Sequence, residues 1–371
     1  MLMVVFGAGA SFDSSLEFLP PYPRVARQNV GPSQSLTYLD PEQPWRPPLT
    51  NDLFRNDNDK FGNIVERYAR LHGILPFLRQ PQNDSVEQQL ELYLNQASAD
   101  QERARQLLSV RYYLHDLFRT VSDNWLSATN GVTNYAMLLE QIRHANTASE
   151  PVCLVTFNYD RLLDHALLPS RVNSQPLERD FDAHPMFKLL KPHGSVEWAR
   201  VLDPVPYYKG EIHRSFAPQQ LIDQAASIKL SDQFVRANAT DPAQLSNFKQ
   251  PIVPAIATPV QTKTDDFFEW PSTHRAYFEE LLPHVRKILI IGWQGKEAHF
   301  LKLLRERLPS GGVTQITHLQ VVGRDSTEAS DISKQFIAGI RRDVKKLPTA
   351  APAQGFSEFV RGELVNFFFK D

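Results

Sequence analysis

Five short apolar runs punctuate the chain, at residues 2–6, 152–157, 187–191, 288–291 and 319–322. They are rich in Val, Ile and Leu and do not alternate with polar residues, as expected of parallel strands covered on both faces. Helical spacing follows two of them. Leu162, Leu163, Ala166 and Leu167 come after the second run, and Phe300, Leu301, Leu303, Leu304 and Leu308 after the fourth. Strand then amphipathic helix, repeated, predicts an α/β fold with a doubly wound, mostly parallel, Rossmann-like sheet.

The strand signal stops between the first and second runs. Residues 20–48 carry eight prolines, which excludes a helix or a central strand there. Beyond them, apolar residues recur at three- and four-residue spacing in four groups: Ile64, Tyr68, Leu71 and Leu75; Val86, Leu90, Tyr93 and Ala97; Leu107, Val110, Leu114, Leu117 and Val121; Tyr135, Leu138 and Ile142. The expected organisation is therefore a sheet domain from residues 1–14 and 150–371, a Pro-rich irregular segment at 15–60, and a helical insertion at 61–149. Residues 199–250 are polar and poorly periodic and read as loops with short helices. Phe356, Phe359, Val360, Leu364 and Phe367 read as one closing helix.

Composition narrows the function classes. The 371 residues suffice for two or three domains of roughly 150 residues or for one elaborated α/β domain. Forty basic residues against forty-two acidic give a net charge of −2, with no global attraction for nucleic acid or an anionic membrane. A single cysteine, Cys153, excludes a disulfide scaffold and a multi-cysteine zinc ribbon. The apolar runs are too short to span a bilayer, and the N-terminus lacks the basic stretch of an export signal. The expectation is a cytoplasmic protein with no membrane contact and no direct nucleic-acid binding.

Polar motifs follow the strand runs. Gly7-Ala8-Gly9-Ala10-Ser11 comes directly after the first. Its glycines permit a sharp turn that brings backbone N–H groups against an anion, or else make a tight structural turn. Asn158 and Asp160, in Thr156-Phe157-Asn158-Tyr159-Asp160, fall at the end of the second run, where ligands bind in open α/β sheets; one of them could instead cap the following helix. Lys191-Pro192-His193-Gly194-Ser195 places a histidine at the end of the third, suited to a general base or to a structural hydrogen bond. Gly292-Trp293-Gln294-Gly295 follows the fourth, as a plain turn or as backbone near a ribose or phosphate, with the Trp293 indole on a base. A parallel sheet would bring all of these to one edge.

Other chemistries fail on spacing. The glycine turn lacks the third glycine of a hydride-transfer fingerprint, Phe12 standing there, and no acid-ended strand follows about 20 residues on. There is no P-loop Lys-Ser or Lys-Thr, no His-Glu-x-x-His and no Gly-x-Ser-x-Gly. Asp57, Asp59 and Gly62 imitate a calcium loop, but Phe61 and Tyr68 stand where oxygens are required. The histidines show no metal-ligand spacing. Arg341, Arg342, Lys345 and Lys346 read as a solvated helix face.

In this order, the motifs resemble those of the sirtuin superfamily, and more closely the sirtuin-like NAD hydrolase domains of bacterial anti-phage defence systems. Pro47-Pro48-Leu49-Thr50-Asn51-Asp52-Leu53-Phe54 also resembles a segment that follows the glycine turn in such domains. The resemblance implies that Gly7, Ala8, Gly9, Ala10 and Ser11 cradle the pyrophosphate of NAD and that activity depends on Asn158 and His193. It also implies that Asp160 helps form the nicotinamide pocket, with Gly194, Ser195, Gly292 and Trp293 among the NAD contacts. No cysteine follows Cys153, so the zinc module of deacetylase sirtuins is absent and no metal is expected.

The activity so implied is an NAD glycohydrolase releasing nicotinamide and ADP-ribose, with NAD as substrate. Two alternatives share the cleft: an ADP-ribosyltransferase, and a non-catalytic NAD or ADP-ribose sensor. By the same resemblance the chain is expected to form a homo-oligomer and to act with a defence-operon partner such as a translocase ATPase or a short Argonaute.

Overall fold

The computed structural model describes residues 1–18, 45–54, 59–79, 86–97, 101–168, 176–203, 217–237, 252–258, 268–309, 315–342, 344–346 and 355–369. Most of the proline-rich stretch, residues 20–44, lies outside them. The strands among the described residues are β1 (Leu2–Phe6), β2 (Val152–Thr156), β3 (Phe187–Leu190), β4 (Gly194–Leu202), β5 (Leu230–Arg236), β6 (Ile252–Ile256), β7 (Lys287–Ile291), β8 (Ile316–Val322) and β9 (Val344–Lys346). Six form one sheet in the order β3-β2-β1-β7-β8-β9, and every neighbouring pair is parallel. The chain winds outward from β1 to β3, returns to β7, and winds outward the other way. This is the doubly wound Rossmann-like order, with its reversal between β1 and β7.

Both faces of this sheet are covered, as the unbroken apolar runs require. Met3, Val5, Cys153, Val155, Ile288, Ile290, Leu319 and Val321 join one core with Phe278, Phe300, Leu304 and Phe336, carried by helices Ser272–Leu281, Ala298–Arg307 and Ser326–Ile340. Val4, Phe6, Leu154, Leu189, Leu289 and Ile291 join the other with Tyr135, Leu138, Ile142, Leu163, Phe356 and Phe359, from helices Asn134–Ala145, Leu162–Leu167 and Gly355–Arg361. Alternate residues of each strand thus enter opposite cores. Each fully buried side chain contributes roughly 1.5–3 kcal/mol.

A second, antiparallel sheet, β5-β4-β6, lies beside the first. Helices Val86–Ala97 and Gln101–Ala128 pack on it through Leu90, Val110, Leu114 and Leu117, against Val196, Leu202, Val253 and Ile256. The last helix before β2, Asn134–Ala145, covers the parallel sheet instead.

Several local expectations are corrected. The end of β4 and all of β5 fall within residues 199–250, read as loops and short helices. Ser231, Asp232 and Gln233 of the edge strand β5 are half-buried or exposed, and only Phe234 is buried, so its apolar signal is thin. Ile64 to Leu75 is not one helix: Asp59–Val65 gives way to a 3-10 turn at Ala69–Gly73 and a short helix at Leu75–Leu78. The closing helix stops at Arg361, because Glu363 takes a left-handed conformation (φ +49°) before a 3-10 turn at Leu364–Phe368. The basic cluster is no helix face: Arg341 is a left-handed helix cap, and Lys345 and Lys346 lie in β9. No helix among the described residues is long and apolar enough to cross a membrane.

Candidate active site

The carboxyl ends of β1 and β7 are bolted together by backbone. Gly7 N–H donates to the Ile291 carbonyl and Gly9 N–H to the Gly292 carbonyl, each at 3.0 Å. A Cβ on Gly7 would meet the Gly292 oxygen at 2.6 Å, and one on Gly292 (φ +60°) would meet the Ala10 nitrogen at 2.2 Å. Only glycine fits such an approach.

Above this junction opens a cleft of about 430 Å3, within the ~300–1,000 Å3 usual for small-molecule sites. Gly7, Ala8, Gly9, Ser11, Asn158, Asp160, His193, Gly292 and Trp293 all line it. Residues 48–53, from the segment singled out in the sequence, form part of its wall, Thr50–Asp52 as a 3-10 turn. Lys296 and Arg324 add two cations among the described residues of the wall. A smaller recess of about 330 Å3, lined by Asp325, Thr327, Asp331 and Gln335, shares Gln294, Lys296, Arg324, Glu328 and Ile332 with it.

Asn158 is held from three sides. Its Nδ2 donates to the Gly7 carbonyl at 2.8 Å, to Ser11 Oγ at 2.9 Å and to the Tyr135 hydroxyl at 3.1 Å. A carbonyl only accepts, so the amide must turn its nitrogen toward Gly7. Oδ1 is left as the atom available to a bound molecule. Ser11 Oγ donates to Asp160 Oδ2 at 2.6 Å, while Asp160 Oδ1 accepts the Leu162 N–H at 3.0 Å. Asp160 thus accepts the first N–H of the following helix and also anchors Ser11. Burial pushes the Asp160 carboxyl up, opposed by the Ser11 hydroxyl, the Leu162 N–H and the Lys191 ammonium.

His193 sits on the turn between β3 and β4. Gly194 N–H closes that turn on the Lys191 carbonyl, and the His193 carbonyl accepts the Ala257 N–H, both at 3.0 Å. The imidazole lies edge-on to Phe157, 4.7 Å between centroids, and beside Tyr159. Behind it Lys191, 1% exposed, donates to Asp164 at 2.7 Å, to the Asp160 carbonyl at 2.9 Å and to Ser195 Oγ at 3.1 Å. A buried cation held by three oxygens fixes the second and third motifs to each other.

Of the expected NAD contacts, Ala10, Gly194 and Ser195 are absent from the cleft wall, and Trp293 lines it. Ser195 is fully buried, and its hydroxyl serves Lys191 and the Glu197 N–H. Gly194 (φ +79°) lets β4 pass the Ala255 carbonyl, which a Cβ would meet at 1.9 Å. Ala10 is buried in the core. Trp293, 3% exposed, stacks on Phe157 at 5.3 Å, with Phe300 and Phe336 edge-on to it. Its indole packs into the core while the residue also lines the cleft. The anion cradle is also smaller than expected. The amides of Gly7, Gly9 and Ala10 donate to protein carbonyls, leaving that of Ala8 among these four to meet a ligand.

Sequence reading treated Tyr135 as a core residue of a helix, and missed that its hydroxyl reaches both Ser11, at 2.9 Å, and Asn158. A helical apolar pattern carries no mark of that contact. It also missed Lys191, whose neighbours in sequence gave no hint of a buried ion pair. No group of three or more His, Cys, Asp or Glu side chains placed to hold a metal occurs among the described residues. No protein-family model matches the chain, and no curated protein is detectably similar to it.

Proposed function

We propose that the chain is an NAD glycohydrolase, cleaving NAD to nicotinamide and ADP-ribose. The observation that carries this reading is the convergence of Asn158 and His193 on one cleft, at the strand-order reversal where doubly wound sheets bind dinucleotides. The backbone junction of Gly7, Gly9 and Gly292 gives that cleft a close-packed floor, and Ala8 N–H, Lys296 and Arg324 supply the positive groups for a pyrophosphate.

In the proposed reaction the bond between nicotinamide and the ribose C1′ breaks, positive charge develops at C1′, and nicotinamide leaves neutral because it begins as a pyridinium. Asn158, its nitrogen committed to Gly7, Ser11 and Tyr135, offers Oδ1 as an acceptor to a ribose hydroxyl or to the attacking water. That contribution is one of position. His193 removes a proton from the ribose hydroxyl or the water, an effect typically worth about 10²–10⁴-fold. Water adds to C1′ and ADP-ribose is the second product. By the resemblance stated above, the chain would self-associate and deplete NAD as the effector of a defence system, together with a partner.

The test is product analysis of NAD incubated with the full chain, alone and with the product of the neighbouring gene. Nicotinamide and free ADP-ribose in equal amounts support hydrolysis. ADP-ribose retained on a macromolecule supports transfer, and tight NAD binding without turnover in both preparations supports a sensor.

A further inference from the structure

The cleft's main polar side chain is held by a residue that does not itself touch the cleft. Tyr135 is 1% exposed, lies on helix Asn134–Ala145 and is absent from the cleft wall, yet its hydroxyl bonds to Ser11 Oγ and Asn158 Nδ2. Its ring is fixed by Phe6 at 5.2 Å and Phe356 at 5.5 Å, both edge-on. Burial raises the phenol far above its ordinary pKa, with the nearby Asp160 adding to the effect, so the oxygen stays protonated.

Counting hydrogens orders the network. Ser11 spends its one hydrogen on Asp160 Oδ2, and so meets Tyr135 and Asn158 with lone pairs. Tyr135 must then donate to Ser11 and accept from Asn158. One Asn158 hydrogen goes to the Gly7 carbonyl, and the other is shared between Ser11 and Tyr135. The phenol oxygen is therefore the only partner of Asn158 supplied by the helix before β2. That helix is also tied to the segment just past the glycine motif: Asn134 N–H donates to the Ser14 carbonyl at 2.7 Å, and Asn134 Nδ2 to the Asp13 carbonyl at 2.8 Å.

We infer that Tyr135 is a positioning residue for Asn158, acting through its hydroxyl to hold the amide in the one orientation that presents Oδ1 to the substrate. The consequence for turnover rests on the NAD reading above; the consequence for the amide does not. Tyr135→Phe keeps the ring and its aromatic neighbours and removes only the oxygen. It should lower kcat about 10- to 100-fold, the range expected for a misplaced group, with KM within about twofold of wild type.

The deciding readout is the side-chain NH2 signal of Asn158 in the full chain labelled with 15N-asparagine, assigned by its loss in Asn158→Asp. The inference expects this pair of resonances to shift in Tyr135→Phe. Should that variant not fold, 3-fluorotyrosine incorporation, which weakens the phenol as an acceptor, should shift the same pair. Asn158 resonances unmoved by either change overturn the inference, whether or not NAD is hydrolysed. A shift in a protein that neither binds nor cleaves NAD, alone or with its partner, leaves the positioning role standing and overturns the NAD reading instead.

Discussion

Asn158, just past the end of β2, donates its side-chain amide to the main-chain oxygen of Gly7, just past the end of β1, at 2.8 Å. A bond between the exits of two adjacent parallel strands fixes more than a rotamer. It sets which end of the amide faces the protein and which faces the cleft, and so ties the chemistry of one motif to the backbone of another.

Asn158→Asp tests that tie. The substitution keeps the size and an acceptor oxygen but sets a carboxylate against the Gly7 carbonyl, where a donor is required. NAD hydrolysis should fall about 10²- to 10⁴-fold, as in Asn158→Ala, with a cooperative thermal transition retained. Near-wild-type turnover in Asn158→Asp would show that the nitrogen is not what orients this side chain.

Two glycines of one loop should respond very differently to alanine. Gly292 has no room for a Cβ, the nearest atom being 2.2 Å away, whereas a Cβ on Gly295 meets nothing within 4 Å. Both have positive φ, so Gly295→Ala should cost only about 1–2 kcal/mol in denaturant unfolding. Gly292→Ala must part β1 from β7, and is expected to lose several times that or fail to accumulate as folded protein. Equal losses in the two variants would contradict the close approach.

Trp293→Phe probes the indole. Stacked on Phe157 at 5.3 Å, with its Nε1 donating to Glu297 at 2.5 Å, it is a wall of the core. The variant should lose roughly 1–3 kcal/mol of stability, for the hydrogen bond and lost packing, with NAD affinity within about twofold of wild type. A tenfold loss of affinity at unchanged stability would restore the base-stacking role.

Asp13 should make stability depend on pH. Burial raises its carboxyl from 3.8 to about 6, against the opposing pull of the Ser357 hydroxyl and N–H and of Arg46. The folded chain therefore holds this proton more tightly than the unfolded chain. The benefit is present in full below about pH 4 and is lost as pH rises through about 6. The shift corresponds to about 3 kcal/mol at most. Urea unfolding at pH 4 and pH 7 should show wild type losing stability relative to Asp13→Asn over that interval. A difference between the two proteins that does not change with pH would place the Asp13 carboxyl in solvent.

The central strands and the cleft-lining motifs were legible because burial on both faces leaves unbroken apolar runs, and because a parallel sheet sends each run's exit to the same edge. Asn158, His193 and the Gly7–Gly9 turn could be placed together from that rule alone. The second sheet was not legible. In its strand β5 only Phe234 is buried; at the edge of the parallel sheet, the three residues of β9 are likewise too few for a period to show. Nor could spacing reveal the polar bonds behind the site. Lys191–Asp164 and Tyr135–Ser11 join residues of different elements, and their side chains carry no local pattern that foretells a partner.

The most direct test of the account is nicotinamide release from NAD by the full chain, alone and with the product of the neighbouring gene, beside Asn158→Ala and His193→Ala. The account predicts release by wild type and a loss of at least about 10²-fold in each variant, with folding retained in both. Release at the wild-type rate from either variant would contradict it.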